Sequence, residues 1–217
     1  MTLELFKKLS AEEFISMYGP IHDSIFRECE MPDFPFVNRD WEIVLLPCGE
    51  LNFENKVDFI ALMQAGKSMG DREVVITDFP VRKRVFDPEH VEKVRQELGD
   101  KVIFKTEPEY VIIPWDPEVM DRVTHSTLGF LDTHLFGRST TWGVVSYWDH
   151  YFAVGGNPEF MELFTQKAGG RVALKERFLD YAVSGWYVFG ESTSIYKDKT
   201  RDFKMKVLKS VEWDTEL

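Results

Sequence analysis

The side chains best suited to acid–base or metal chemistry are the five histidines, because imidazole titrates near neutral pH and is the commonest metal ligand. Histidine and aspartate are close neighbours in three places: His22 with Asp23, His125 with Asp132 and His134, and Asp149 with His150. A metal centre needs three or four such groups to converge, usually one helical turn apart or at alternate positions of a strand. The nine-residue separation of His125 and His134 suits neither arrangement. Unless the fold brings His125, Asp132, His134 and His150 together, the sequence predicts no metal and no cofactor.

Nucleophilic catalysis has one candidate, Cys48, which lies where a predicted strand turns at Pro47 and Gly49. A reactive thiolate needs a nearby base or a helix N-terminus to lower its pKa, and no histidine is close to Cys48 in the sequence. The chain contains no serine-hydrolase elbow, no P-loop and no histidine-based zinc motif of the metalloprotease type. We therefore assign no catalytic residues, and this result favours a non-enzymatic role without deciding the question.

The most suggestive stretch runs from Thr140 to Phe152 and holds two Trp, two Tyr, one Phe, one Asp and one His in thirteen residues. Its pattern predicts a hairpin of two strands, Trp142–Ser146 and Tyr151–Val154, with the intervening residues at the turn. Trp and Tyr are frequent anchors of protein interfaces, and an exposed Trp is unfavourable without a partner. We therefore predict a binding surface at this turn, formed by Trp148, Asp149, His150 and Tyr151. The more distant Trp115 is predicted as a secondary anchor. The alternative is that these rings pack against a neighbouring helix.

The charge of the chain limits its partners. The sequence has 26 basic and 37 acidic side chains, which gives a net charge of −11. Such a chain is repelled by phosphate, and its densest basic stretches, 81–84 and 197–209, are interrupted or flanked by acidic residues. We therefore expect no binding to nucleic acid or to anionic membranes. A basic protein partner is compatible with this charge.

Three features predict a soluble cytoplasmic protein. The first eight residues lack the apolar region of a signal peptide. No apolar run approaches the ~20 residues that span a bilayer. The only cysteines, Cys29 and Cys48, are fewer than a secreted domain of this size often carries.

Periodicity and capping residues predict alternating helices and strands. A Ser10–Glu13 capping box starts the first helix, and an Asp/Asn-Pro-Glu sequence that caps and presets a helix start occurs three times, at 87–89, 116–118 and 157–159. The predicted helices are 11–18, 52–65, 88–98, 117–126, 158–167 and 171–182. The predicted strands are 41–46, 73–77, 102–104, 110–113, 142–146 and 151–154, while 192–211 suits either a helix or a strand pair.

These elements indicate an α+β fold: a mixed, mainly antiparallel sheet with helices packed on it. Short strand pairs such as 142–154 favour hairpins over crossover connections. The length of 217 residues suits a single compact domain, 1–217, and the best candidate for an internal subdivision is the loop 135–141.

Three classes of function remain open. The acidity, the aromatic turn, the compact domain and the lack of a catalytic motif favour a stoichiometric protein-binding or inhibitory protein, for example an immunity-type neutraliser of a basic partner. The second class is a hydrolase-like enzyme with a dispersed His/Asp site. The third is a structural subunit that self-assembles through aromatic surface. The oligomeric state and the partner's identity are left undetermined by the sequence.

Overall fold

The computed structural model describes residues 7–27, 33–47, 56–78, 110–114, 133–147, 151–185 and 197–211. Its strands are β1 (Lys7–Leu9), β2 (Glu42–Pro47), β3 (Glu73–Asp78), β4 (Tyr110–Pro114), β5 (Thr133–Phe136), β6 (Trp142–Tyr147) and β7 (Tyr151–Gly156). Its helices are α1 (Ala11–Met17), α2 (Gly19–Ile25), α3 (Lys56–Ser68), α4 (Pro158–Lys167), α5 (Arg171–Asp180) and α6 (Lys197–Ser210), and a π-helical turn (Tyr181–Gly185) follows α5. No helix in these ranges is long and apolar enough to cross a membrane.

The seven strands form one sheet in the order β1-β4-β3-β5-β6-β7-β2, and every pairing is antiparallel. The predicted α+β class with a mainly antiparallel sheet is therefore confirmed. The loop considered as an internal boundary connects β5 to β6, which pair directly with each other. It is thus a hairpin connection within the one sheet.

Both faces of the sheet are buried. The first core lies between one face and helices α3 and α4, and contains Val44, Trp142, Leu62 and Phe160. The second core lies on the opposite face and is covered by α1, α2 and α6. Alternate residues of a strand point to opposite faces, so Val44 enters the first core while its neighbour Leu45 enters the second. Helix α5 packs beside the edge strand β2 and contributes to both cores.

The local signals for helix starts are confirmed where they fall within the described ranges. Ser10 Oγ accepts a 3.1 Å bond from the backbone N–H of Glu13, whose carboxylate accepts a 2.9 Å bond from the N–H of Ser10. Asn157 Oδ1 accepts a 2.8 Å bond from the N–H of Phe160 at the start of α4. The copies at 87–89 and 116–118, with the helices that they were expected to start and the strand predicted at 102–104, lie outside the described residues.

Two helix boundaries differ from prediction. Gly66 was expected to end α3, but this helix continues to Ser68, because packing against α4 outweighs the modest helix propensity cost of a glycine. Gly19 and Pro20 do end α1, yet a second helix, α2, begins at Gly19, since proline is tolerated in the first helical turn. The ambiguous C-terminal stretch is helical from Lys197 to Ser210. Sequence patterns gave no indication of the short strands β1 and β5.

Candidate functional site

The predicted binding turn falls only partly within the described residues. Trp148, Asp149, His150 and Trp115 lie outside them, so the interface predicted there stays a prediction. Tyr151 is the first residue of β7 and is 3% exposed. Its ring lies in the second core, 4.9 Å from the ring of Tyr147 and 6.2 Å from that of Phe178. The hairpin prediction itself is confirmed, since β6 and β7 pair with Tyr147 opposite Tyr151.

Two histidines that are 112 positions apart in the sequence meet inside the second core. His22 Nε2 on α2 lies 2.8 Å from His134 Nδ1 on β5, and Asp23 Oδ1 lies 3.0 Å from His22 Nδ1. A neighbouring ring, Phe26, stacks on His134 at 3.9 Å. Because the Asp23 carboxylate only accepts hydrogen bonds, His22 donates from Nδ1 and accepts at Nε2 from the Nδ1–H of His134. His125, Asp132 and His150 lie outside the described residues.

This histidine pair is nearly sealed from solvent, with His22 8% and His134 1% exposed. Burial lowers the pKa of both imidazoles, Asp23 partly offsets this effect at His22, and a charge on His22 would lower the pKa of His134 further. Both rings are therefore neutral at neutral pH. Within the described ranges no three His, Cys, Asp or Glu side chains are arranged to hold a metal ion. The pair accordingly fixes α2 on the sheet through a neutral hydrogen bond.

The histidine pair predicts that the fold loses stability as the pH falls from about 7 to about 5. Below about pH 6.5 both imidazoles take up protons in the unfolded chain, whereas burial resists protonation in the folded chain. The free energy of unfolding should fall by at most about 1.4 kcal/mol per pH unit for each histidine. Urea unfolding across this pH range measures the slope. A double variant, His22→Leu with His134→Phe, should show a flatter profile, and an equal slope in both proteins would contradict the prediction.

A second polar network lies where the β5–β6 loop meets α1 and β3. Tyr18 donates a 2.6 Å hydrogen bond to Glu73 Oε1, and Arg138 donates to both, at 2.6 and 2.7 Å. The guanidinium also lies 4.6 Å above the Tyr18 ring. Burial and the Glu73 carboxylate raise the pKa of Tyr18 to about 12, so this phenol stays protonated and is not a general base at neutral pH. The network anchors the loop.

A groove of about 1060 Å³ lies beside Trp41, and we call it the Trp41 groove. Its apolar wall consists of Phe34, Trp41, Ile43 and Val211. Its charged rim is formed by basic and acidic side chains from three segments of the chain: Arg39, Arg171, Lys206, Lys209, Asp33, Asp40 and Glu42. Seven of its eleven described lining residues are thus charged. The groove is an open, polar cleft with a small aromatic floor.

The segment that leads into β2 is held firmly enough to shape this groove. Its backbone bonds to the end of α2, where the N–H of Val37 donates to the carbonyl of Ile25 at 2.9 Å. Phe36 is fully buried, and its ring lies 5.4 Å from that of Trp41. Asn38 Oδ1 accepts a 3.0 Å bond from the N–H of Asp40, which turns the chain toward the strand. The aromatic floor is therefore an extension of the second core.

The basic side chains of the groove fall into two groups. Arg171 is neutralised, since it pairs with Glu42 and lies 3.6 Å from Glu162. Arg39, in contrast, lies with its guanidinium 5.0 Å from the centre of the Phe34 ring. In the described part of the chain, neither it nor Lys206 or Lys209 forms an ion pair, and all three are exposed. Three unneutralised cations consequently face one cleft.

Part of this surface lies in a stretch with a visible charge pattern. Residues 197–209 form one of the densest basic stretches in the chain. Its folding as α6 places Lys206 and Lys209 three positions apart, and therefore on the same side of the helix. The signal that could have identified the groove is this pair beside the buried positions Val207 and Leu208.

No protein-family model, curated protein or solved structure matches this chain.

Proposed function

We propose that this chain is a stoichiometric protein-binding protein and that the Trp41 groove is its contact surface. The observation that carries the proposal is the combination of an aromatic floor with a rim of charges of both signs. Protein interfaces place Trp, Tyr, Phe and Arg at their centre and polar groups at their rim. Small-molecule sites are mostly apolar and occupy roughly 300–1,000 Å³. The volume of the groove, about 1060 Å³, is close to this range, but the charged majority in its lining suits a segment of another protein better.

The net charge of −11 supports a partner with an overall basic surface. Complementary net charges increase the rate of association and suppress wrong partners. An inhibitory role, in which the chain masks a basic partner as an immunity-type protein does, is the specific form that we propose. This role predicts that binding weakens as the ionic strength rises.

The alternative function that would use the histidine pair is that of a hydrolase whose His and Asp residues are dispersed along the sequence. Its two rings are largely buried and packed by phenylalanine side chains, so a substrate would reach them only if α2 moved off the sheet. The Trp41 groove, in contrast, is open in the structure as it stands. The geometry therefore favours binding over turnover.

Site-directed photo-crosslinking tests this proposal. A photoreactive amino acid replaces Lys209 in the groove or, as a matched control, Ile15, which is 64% exposed on α1. We expect irradiation in cells of the source organism to give one dominant adduct from the groove position and none from the control. The purified partner should then form a 1:1 complex that is weaker at about 300 mM salt than at about 50 mM. Equal adducts from both positions, or none, would overturn the proposal.

A further inference from the structure

The unneutralised cations of the Trp41 groove carry information about what it binds. Acidic side chains outnumber basic ones by 37 to 26 in this chain, so a basic side chain has an excess of carboxylates with which to pair. Arg138 pairs with Glu73 and Arg177 with Asp58, whereas four basic side chains outside the groove form no ion pair in the described part of the chain: Arg27, Lys67, Arg72 and Lys167. What distinguishes the groove is that three such cations line one cleft. Arg39, Lys206 and Lys209 do not pair within the described residues, and all three line the same cleft. Their positive charge is therefore available to an incoming group.

The three cations come from two segments of the chain. Lys206 and Lys209 lie one turn apart on α6, and the apolar Val211, which follows the end of this helix, also lines the groove. Arg39 lies in the segment that precedes β2, and its guanidinium stacks on the Phe34 ring. Stacking uses the face of a guanidinium and leaves its in-plane N–H groups to donate, which suits the bidentate binding of a carboxylate. Cations contributed by two separate segments fit a ligand that carries two or more negative groups.

The acidic side chains of the rim restrict this ligand. Glu42 is neutralised by Arg171, whereas Asp40 is exposed and would repel an uninterrupted run of negative charge. The net charge of −11 also opposes a polyanion such as nucleic acid. The aromatic floor, meanwhile, offers contact to an apolar side chain. A short segment with spaced carboxylates and an apolar residue between them satisfies all of these conditions.

We infer that the Trp41 groove binds an acidic peptide segment of the partner, with carboxylates at Arg39, Lys206 and Lys209 and an apolar side chain over Phe34 and Trp41. This inference rests on the proposed protein-binding function and adds the chemistry of the segment. The basic surface of the partner provides the long-range attraction to this acidic chain. A separate acidic segment of the same partner binds in the groove.

Fluorescence anisotropy with three synthetic peptides tests the inference. The first peptide carries four glutamates around a leucine and a phenylalanine; the second and third have glutamine or lysine in place of the glutamates. We expect the acidic peptide to bind at least about tenfold more tightly than the glutamine peptide. Arg39→Glu and Lys209→Glu should each weaken the acidic peptide about tenfold. Lys167→Glu makes the same charge change at an exposed position on α4 outside the groove and should leave binding within about twofold.

The outcomes separate this inference from the function on which it rests. Tighter binding of the lysine peptide, or of a single-stranded oligonucleotide probe, would overturn the acidic-segment inference and leave crosslinking from position 209 unaffected. Failure of all three peptides to bind would also overturn it. If crosslinking from position 209 fails as well, both the inference and the proposed function are wrong. Unchanged thermal unfolding of the variants, expected because the substituted side chains are exposed, shows that the losses arise from binding.

Discussion

Replacing Asp71 by alanine is expected to lower the free energy of unfolding by about 3–5 kcal/mol. The carboxylate of Asp71 is 5% exposed and accepts three hydrogen bonds, from Ser139 N at 2.8 Å, Ser139 Oγ at 2.9 Å and Trp142 Nε1 at 2.7 Å. Hydrogen bonds to a charged group contribute about 1.5–3 kcal/mol each. The variant loses all three at once, and the indole that donates one of them is fully buried.

Chemical denaturation of the variant measures this effect, and two further variants control it. Asp202→Ala removes an exposed carboxylate on α6 and should change the stability by no more than about 0.5 kcal/mol. Gly137→Ala disturbs the same network by a steric clash, because the added Cβ would lie 2.0 Å from Asp71 Oδ2. The double variant Asp71→Ala with Gly137→Ala should lose less than the sum of the single losses. Additive losses, or an Asp71→Ala effect below about 1 kcal/mol, would contradict the account of this network.

The second large effect is expected at Gly155, the penultimate residue of β7. A Cβ at this position would lie 2.4 Å from Cε2 of Phe36, whose ring is fully buried. Gly155→Ala therefore forces the ring to move within a close-packed core, and we expect a loss of about 3 kcal/mol. Because Phe36 contacts Trp41, the same shift should disturb the floor of the groove.

Urea denaturation of Gly155→Ala and Gly19→Ala separates this clash from a general effect of adding a methyl group. Gly19 begins α2, and the nearest atoms to a Cβ there are 4.0 Å away. Alanine should thus be tolerated at Gly19, with a change of no more than about 1 kcal/mol. Similar stabilities for the two variants would contradict the tight packing of Phe36 on β7.

The local elements were predictable because their signals lie within a few residues of one another. The Ser10–Glu13 capping box, the Asn157 cap and the β6–β7 hairpin each depend on short sequence patterns, and the structure confirms all three. Strand β5 escaped prediction because successive residues of it are buried on opposite faces of the sheet. Where both faces are covered, the alternation of polar and apolar residues that marks a half-exposed strand is lost.

The candidate site could not be predicted from the sequence, for a different reason. The Trp41 groove joins residues 33–43, Arg171 and residues 206–211, which approach only after the sheet and α6 have packed. The histidine pair likewise joins α2 to β5 across 112 positions. The density of aromatic residues from Thr140 to Phe152 favoured a binding prediction at Trp148. The basic stretch 197–209 is also visible in the sequence, but its proximity to Phe34 and Trp41 is not.

Protein binding through the Trp41 groove is tested most directly by crosslinking mass spectrometry of the complex with the partner identified by photo-crosslinking. We predict a 1:1 complex whose crosslinks cluster on residues 34–43 and 206–211, and whose affinity falls about tenfold in each of the Arg39→Glu and Lys209→Glu variants. Crosslinks that cluster elsewhere in a complex unaffected by these variants would contradict the assignment of the groove, and chemical turnover of the partner would contradict a stoichiometric binding role.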